Sequence, residues 1–95
     1  MLWIGDGMFI ILYYDVNKKR CGKMLKTCRK YIQWVQNSVF EGEISEAKYE
    51  GLVSELKRII KKDEGDSVIC YKFRTEKYTE RLVYGNDKKD EIKFL

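Results

Sequence analysis

The stretch MFIILYYD, Met8 to Asp15, is apolar and aromatic until it ends on one carboxylate, and the next five residues, VNKKR, turn basic. Two readings of Asp15 follow. In one it is a strand-end turn former or helix cap, as Asp is in most such positions. In the other it is a metal ligand beside a phosphate. A two-fold homodimer would set Asp15 of each copy on opposite sides of one axis. Two carboxylates meeting there repel, so one keeps its proton unless a cation lies between them. Mg²⁺ takes oxygen ligands, retains several waters and works beside substrate phosphates, which fits such a pair.

Other chemistries are excluded by composition. The chain contains no histidine, which removes Ser-His-Asp and Cys-His catalysis and the usual general base. Its three cysteines include no CxxC pair, so neither a disulfide framework nor a zinc site is expected. Cys21 and Cys28 lie two helical turns apart, about 10 Å along the axis, too far to be bridged. Hydrolysis by this chain needs a metal to activate water. Glu41 and Glu43 share one face of a regular strand; they are either secondary metal ligands or, as the plainer reading, partners in salt bridges to the helices.

Charge is unevenly placed. Lys18, Lys19, Arg20, Lys23, Lys26, Arg29 and Lys30 lie between Val16 and Phe40 with no acid among them, and the remainder is net acidic. On a helix, Lys19, Lys23, Lys26 and Lys30 fall at i, i+4, i+7 and i+11, on one face. Like charges at these spacings cost a few tenths of a kcal/mol per pair. A solvated face ordinarily interleaves glutamates, as the later segment does with Glu46, Glu50 and Glu55. The seven cations therefore point to a nucleic-acid backbone. No aromatic residue is interleaved with them to stack bases, and Tyr13, Tyr14, Trp34 and Phe40 read as core or interface. A membrane is not supported: the apolar start is broken by Gly5-Asp6-Gly7 and lacks a signal peptide's basic start and cleavage site. The expected location is cytoplasmic.

Periodicity supplies the elements that position these residues. Met8 to Asp15 reads as a strand. Cys21, Met24, Leu25, Cys28 and Ile32 recur at helical spacing after Asn17, an N-cap. WVQNSVFEGEI, Trp34 to Ile44, reads as two strands about Asn37-Ser38 or one bent strand. Ser45 caps a second helix with the stripe Tyr49, Leu52, Val53, Leu56, Ile59 and Ile60. SVICYKF, Ser67 to Phe73, is the last core strand, and Arg81 to Tyr84 reads as a short extra one.

This order is the α+β, ferredoxin-like βαββαβ sandwich with an additional short C-terminal strand. The organisation is an N-terminal extension over 1–7, one domain over 8–84 and a charged tail over 85–95. Two helices cover only one face of such a sheet, yet FIILYY is apolar at every position. An uncovered apolar face implies a homodimer packed sheet to sheet.

The stretch ILYYDVNKKRCGKMLKTCRKYIQWVQNSVFEGEIS closely resembles the CRISPR-associated endoribonuclease family, the small second universal core CRISPR-associated protein. The matching features are Tyr14-Asp15, the basic helix from Lys18 to Lys30, and the segment Gln36-Asn37-Ser38-Val39-Phe40-Glu41. The resemblance extends over Met8 to about Tyr84. It implies a ferredoxin-like homodimer in which one Mg²⁺ is shared by the paired Asp15 residues, and cleavage of RNA or DNA. It also implies a place in prokaryotic antiviral defence, in the spacer-acquisition complex. There the dimer bridges integrase subunits and holds double-stranded DNA on its basic surface, the chemistry being the integrase's. Tyr14, Gln36, Ser38 and Phe40 form the structural motif that the resemblance implies. Met1 to Gly7 precedes the family's usual start and is either an upstream start or an added hairpin through Asp6-Gly7.

Two functions remain open from sequence. One is a metal-dependent endonuclease with Asp15 as catalytic metal ligand; the alternative is a non-catalytic DNA-bridging scaffold for the integrase, which needs only the dimer and the basic helix.

Overall fold

The computed structural model describes residues 7–89. Its elements are β1 (Gly7–Asp15), α1 (Lys18–Arg29), β2 (Gln33–Gln36), β3 (Val39–Ser45), α2 (Glu46–Ile59) and β4 (Ser67–Phe73). They form one sheet of order β2-β3-β1-β4 with every neighbouring pair antiparallel. This is the expected ferredoxin-like arrangement, with β1 central and both helices on one side.

Alternation along β1 divides the sheet. Met8, Ile10, Leu12 and Tyr14 are buried together with Met24 and Cys28 of α1, Leu52 and Leu56 of α2, and Phe40 and Ile44 of β3. The intervening residues Phe9, Ile11, Tyr13 and Asp15 project to the face that no helix covers. Their register partners on β4 are Phe73, Tyr71, Ile69 and Ser67.

The caps match the sequence. The Asn17 side chain accepts from the Lys19 N–H at 3.0 Å, and that of Ser45 accepts from the Lys48 N–H at 3.2 Å. Asn37-Ser38 forms a tight turn between β2 and β3; Asn37 sits at φ 44°, a left-handed conformation that asparagine tolerates better than most residues. The two-strand reading of that segment therefore holds.

The extra strand expected over Arg81–Tyr84 is absent from the described residues. A strand needs a neighbouring backbone to pair with, and here the segment is held by side chains. Arg81 Nε lies 2.7 Å from Glu41, and its Nη1 lies 2.7 Å from Asp87. The hairpin considered for Asp6-Gly7 falls outside the described residues apart from Gly7, which begins β1.

Candidate metal and nucleic-acid site

Asp15 is the last residue of β1, exposed, on the open side of the sheet and opposite Ser67 of β4. Among the described residues its carboxylate has no hydrogen-bond or ion-pair partner. The plainer roles for an acid here belong to others. Asn17 caps α1, and the carboxylate that ties the strand tip to its surroundings is Asp66.

Asp66 is the buried carboxylate at the strand tip that the sequence reading missed. Its Oδ1 accepts from the Asn17 N–H at 2.9 Å and from Arg20 Nη2 at 3.0 Å; its Oδ2 accepts from the Lys61 N–H at 2.8 Å and from Arg20 Nε at 2.5 Å. Gly65, at φ 88°, turns the chain so that Asp66 faces inward, a conformation glycine adopts without penalty. The Arg20 guanidinium, with help from the two backbone N–H groups, holds the Asp66 carboxyl well below the usual carboxylate range.

Arg20 must accordingly leave the nucleic-acid-binding set. It is buried, 7% exposed, and its donors go to Asp66 and to Glu64 Oε1 at 3.0 Å. The signal was available: Arg20 lies in the helical row of Met24 and Thr27, both buried. Lys30 is exposed, but its ammonium is 2.5 Å from Glu55 Oε1 on α2, an interaction joined by the Tyr31 hydroxyl, which donates to Glu55 Oε2. Lys30 is thus partly committed to joining the helices.

The other five cations, Lys18, Lys19, Lys23, Lys26 and Arg29, are exposed, with no acidic partner among the described residues. α1 has no acid in its first turn, where Lys18 and Lys19 stand against the positive end of the helix dipole. The negative charge at that end comes from outside the helix, from Asp66, which accepts from the Asn17 N–H. Lys18 begins three residues after Asp15, within about 10 Å by chain length. Lys26 and Arg29 lie far along the helix from the strand tip, so only its first turn shares a neighbourhood with Asp15.

The opposite edge of the tip is held by the Tyr14, Gln36, Ser38 and Phe40 group. The Tyr14 N–H donates to the Ser38 carbonyl at 3.2 Å, and the Tyr14 ring stacks on Phe40 with centroids 6.1 Å apart. Phe40 is fully buried, while Gln36 is exposed at the turn, paired with Val39. Burial pushes the Tyr14 hydroxyl up to about 12 and the Cys28 thiol up to about 12, so neither is a nucleophile near neutrality.

Glu41 and Glu43 do not join Asp15. Glu41 pairs with Ile11 in register, four residues back along β1, or about 13 Å. It is buried and accepts from Arg81 and Lys89, each at 2.7 Å, so its salt bridges run to the C-terminal segment rather than to the helices. Glu43 is exposed. Among the described residues no three His, Cys, Asp or Glu side chains cluster closely enough to hold a metal ion. Nor is any helix there long and apolar enough to cross a membrane.

A family model, CRISPR associated protein Cas2, matches residues 8–81. The chain belongs to the Cas2 family. The CRISPR-associated endoribonuclease Cas2 of Dictyoglomus turgidum is 54% identical over 81 residues, 85% of this chain and 92% of the relative. That of Thermotoga maritima is 48% identical over the same shares. A Cas2 crystal structure superposes with TM-score 0.78 at 45% identity, covering 86% of this chain and 91% of the other. The Streptococcus pyogenes Cas2 crystal structure at pH 6.5 gives TM-score 0.70 at 30% identity, over 83% of this chain and 100% of that one.

Within the Cas2 family frame, the donor set can be tested against Mg²⁺. At the strand tip the described residues offer the exposed Asp15 carboxylate with both oxygens uncommitted, a hard oxygen ligand of the right kind. Alone it does not make a metal site: an ion at Asp15 would need further oxygen ligands that the described residues do not gather there.

Proposed function

We propose that this protein is a CRISPR adaptation protein that acts as a homodimer, binds nucleic acid through α1, and hydrolyses phosphodiester bonds of RNA or DNA as a Mg²⁺-dependent endonuclease. The observation that carries this reading is Asp15 itself, a carboxylate exposed at a strand tip where Asn17 and Asp66 do all the local structural work. The names of the relatives, endoribonucleases, support the reaction class.

The open sheet face supports the dimer. Tyr13, Ile69 and Tyr71 are 37%, 42% and 53% exposed, with the Tyr13 and Tyr71 rings stacked and Phe9 beside Phe73. A contiguous apolar patch of this kind marks an interface. Packing it against a second copy brings the two β1 strands together, and with them two copies of Asp15.

Asp15 of each copy would hold the ion, which when bound supplies a water of lowered pKa and charge stabilisation at the phosphate. The chain's own groups do the rest. Lys18 and Lys19 fix phosphates beside the strand tip, and Lys23, Lys26 and Arg29 extend the contact along the backbone of the nucleic acid. With Asp15 the one acid each chain brings to this site, and no histidine in the sequence, turnover is slow.

The second reading, a bridge for the spacer-acquisition integrase that performs no cleavage, is favoured by one specific observation: the cationic face runs the length of α1 and mostly leads away from Asp15. Cleavage of single-stranded RNA and double-stranded DNA, with Mg²⁺ or with EDTA, by wild type and by D15N separates the two. Mg²⁺-dependent cleavage lost in a D15N protein that still dimerises supports the nuclease. Equal inertness of both, with DNA binding intact, assigns the protein to bridging.

A further inference from the structure

Among the described residues Asp15 has no side-chain partner, so its position there depends on what fixes the backbone around it. The link from β1 to α1 is only Val16 and Asn17, and the Asn17 N–H is bound by Asp66. The same carboxylate grips Arg20 in the first turns of α1 and the Lys61 N–H just past α2. Its own chain continues into Ser67, the register partner of Asp15. One buried side chain therefore joins both strands at the tip to both helices.

Stability alone is a poor explanation for this arrangement. A buried ion pair pays for desolvation and is often matched or bettered by apolar residues of equal volume; its better-attested use is to specify one geometry. Here Arg20 and Asp66 are each 7% exposed, and four donors converge on two oxygens.

We infer that Asp66, with Arg20, is a positioning residue for the Asp15 carboxylate, fixing the strand tip so that two copies of Asp15 meet in one arrangement. The inference rests on the proposed role of Asp15. Both side chains are buried and bound to each other, and they act through the backbone at Asn17.

The test uses the full chain as D66N and as R20K, the second retaining charge but losing the planar fork. Backbone ¹⁵N order parameters are measured at Asp15 and Val16, with Ile10 and Leu12 as references, and Mn²⁺ is titrated by its broadening of the Asp15 resonance. In D66N the order parameters at Asp15 and Val16 should fall from about 0.85 to below about 0.6 while the references hold. The Mn²⁺ midpoint should rise tenfold or more, with R20K intermediate and DNA affinity changed less than twofold. Unchanged order parameters at Asp15 in both variants overturn the inference, as does equal loss along the whole of β1, which marks a purely structural pair. If D15N instead binds Mn²⁺ like wild type, the reading of Asp15 fails, and the order parameters still judge whether Asp66 and Arg20 fix the strand tip.

Discussion

Asp15 lies two residues before Asn17, whose backbone N–H donates to Asp66 at 2.9 Å. Asp66 accepts four hydrogen bonds there, while Asp15, exposed on the open side of the sheet, has no partner among the described residues. The division separates a carboxylate that builds the tip from one that is left available to a ligand.

The acid limb of stability should belong to Asp66. Arg20 depresses its folded pKa, so its contribution is fully present above the unfolded value of about 3.9 and is lost as pH falls below that. Unfolding midpoints followed by circular dichroism from pH 7 to pH 2 should drop steeply below about pH 4 in wild type. In D66N the midpoint should be lower at neutral pH and the acid drop shallower. Identical acid limbs in the two proteins would show that Arg20 does not stabilise the ionised form.

Nucleic-acid binding should follow the outward cations of α1 and not Arg20. Each phosphate contact contributes about 0.9 to the slope of log affinity against log salt, so replacing Lys19, Lys23 and Lys26 by Glu should lower that slope by about 3. R20K should leave it unchanged. Fluorescence anisotropy with a labelled duplex at several salt concentrations reads both. A slope indifferent to the three lysines would place binding elsewhere.

Much of this architecture was legible locally. Asn17 and Ser45 announce helix starts because the capping group lies two or three residues from the N–H it accepts. The unbroken apolar run in MFIILYYD, apolar on both faces, announces a strand with a second face to cover. What escaped was set by long-range pairing. Arg20 meets Asp66 across 46 residues of chain, and no pattern near Asp66 in KKDEGD distinguishes it from its neighbours. Even so, the place of Arg20 in the row of Met24 and Thr27 was readable, and counting charges without their faces concealed it. Arg81–Tyr84 failed as a strand for a related reason: composition gives a preference, while a strand also requires a neighbour.

The open face should be the dimer interface. Tyr71 is half exposed, so Y71K should keep the single chain folded while placing a charge on the apolar patch. Sedimentation velocity should give twice the chain mass for wild type and the single mass for Y71K, with unchanged far-ultraviolet circular dichroism. A variant that remains a dimer would put the interface on another surface.

The shared site is tested most directly by counting ions. Mn²⁺, as a spectroscopic substitute for Mg²⁺, should bind wild type at one ion per two chains by electron paramagnetic resonance titration, and D15N should lose that site while remaining a dimer. One ion per chain, or the same binding in D15N, would contradict a metal held between paired Asp15 residues.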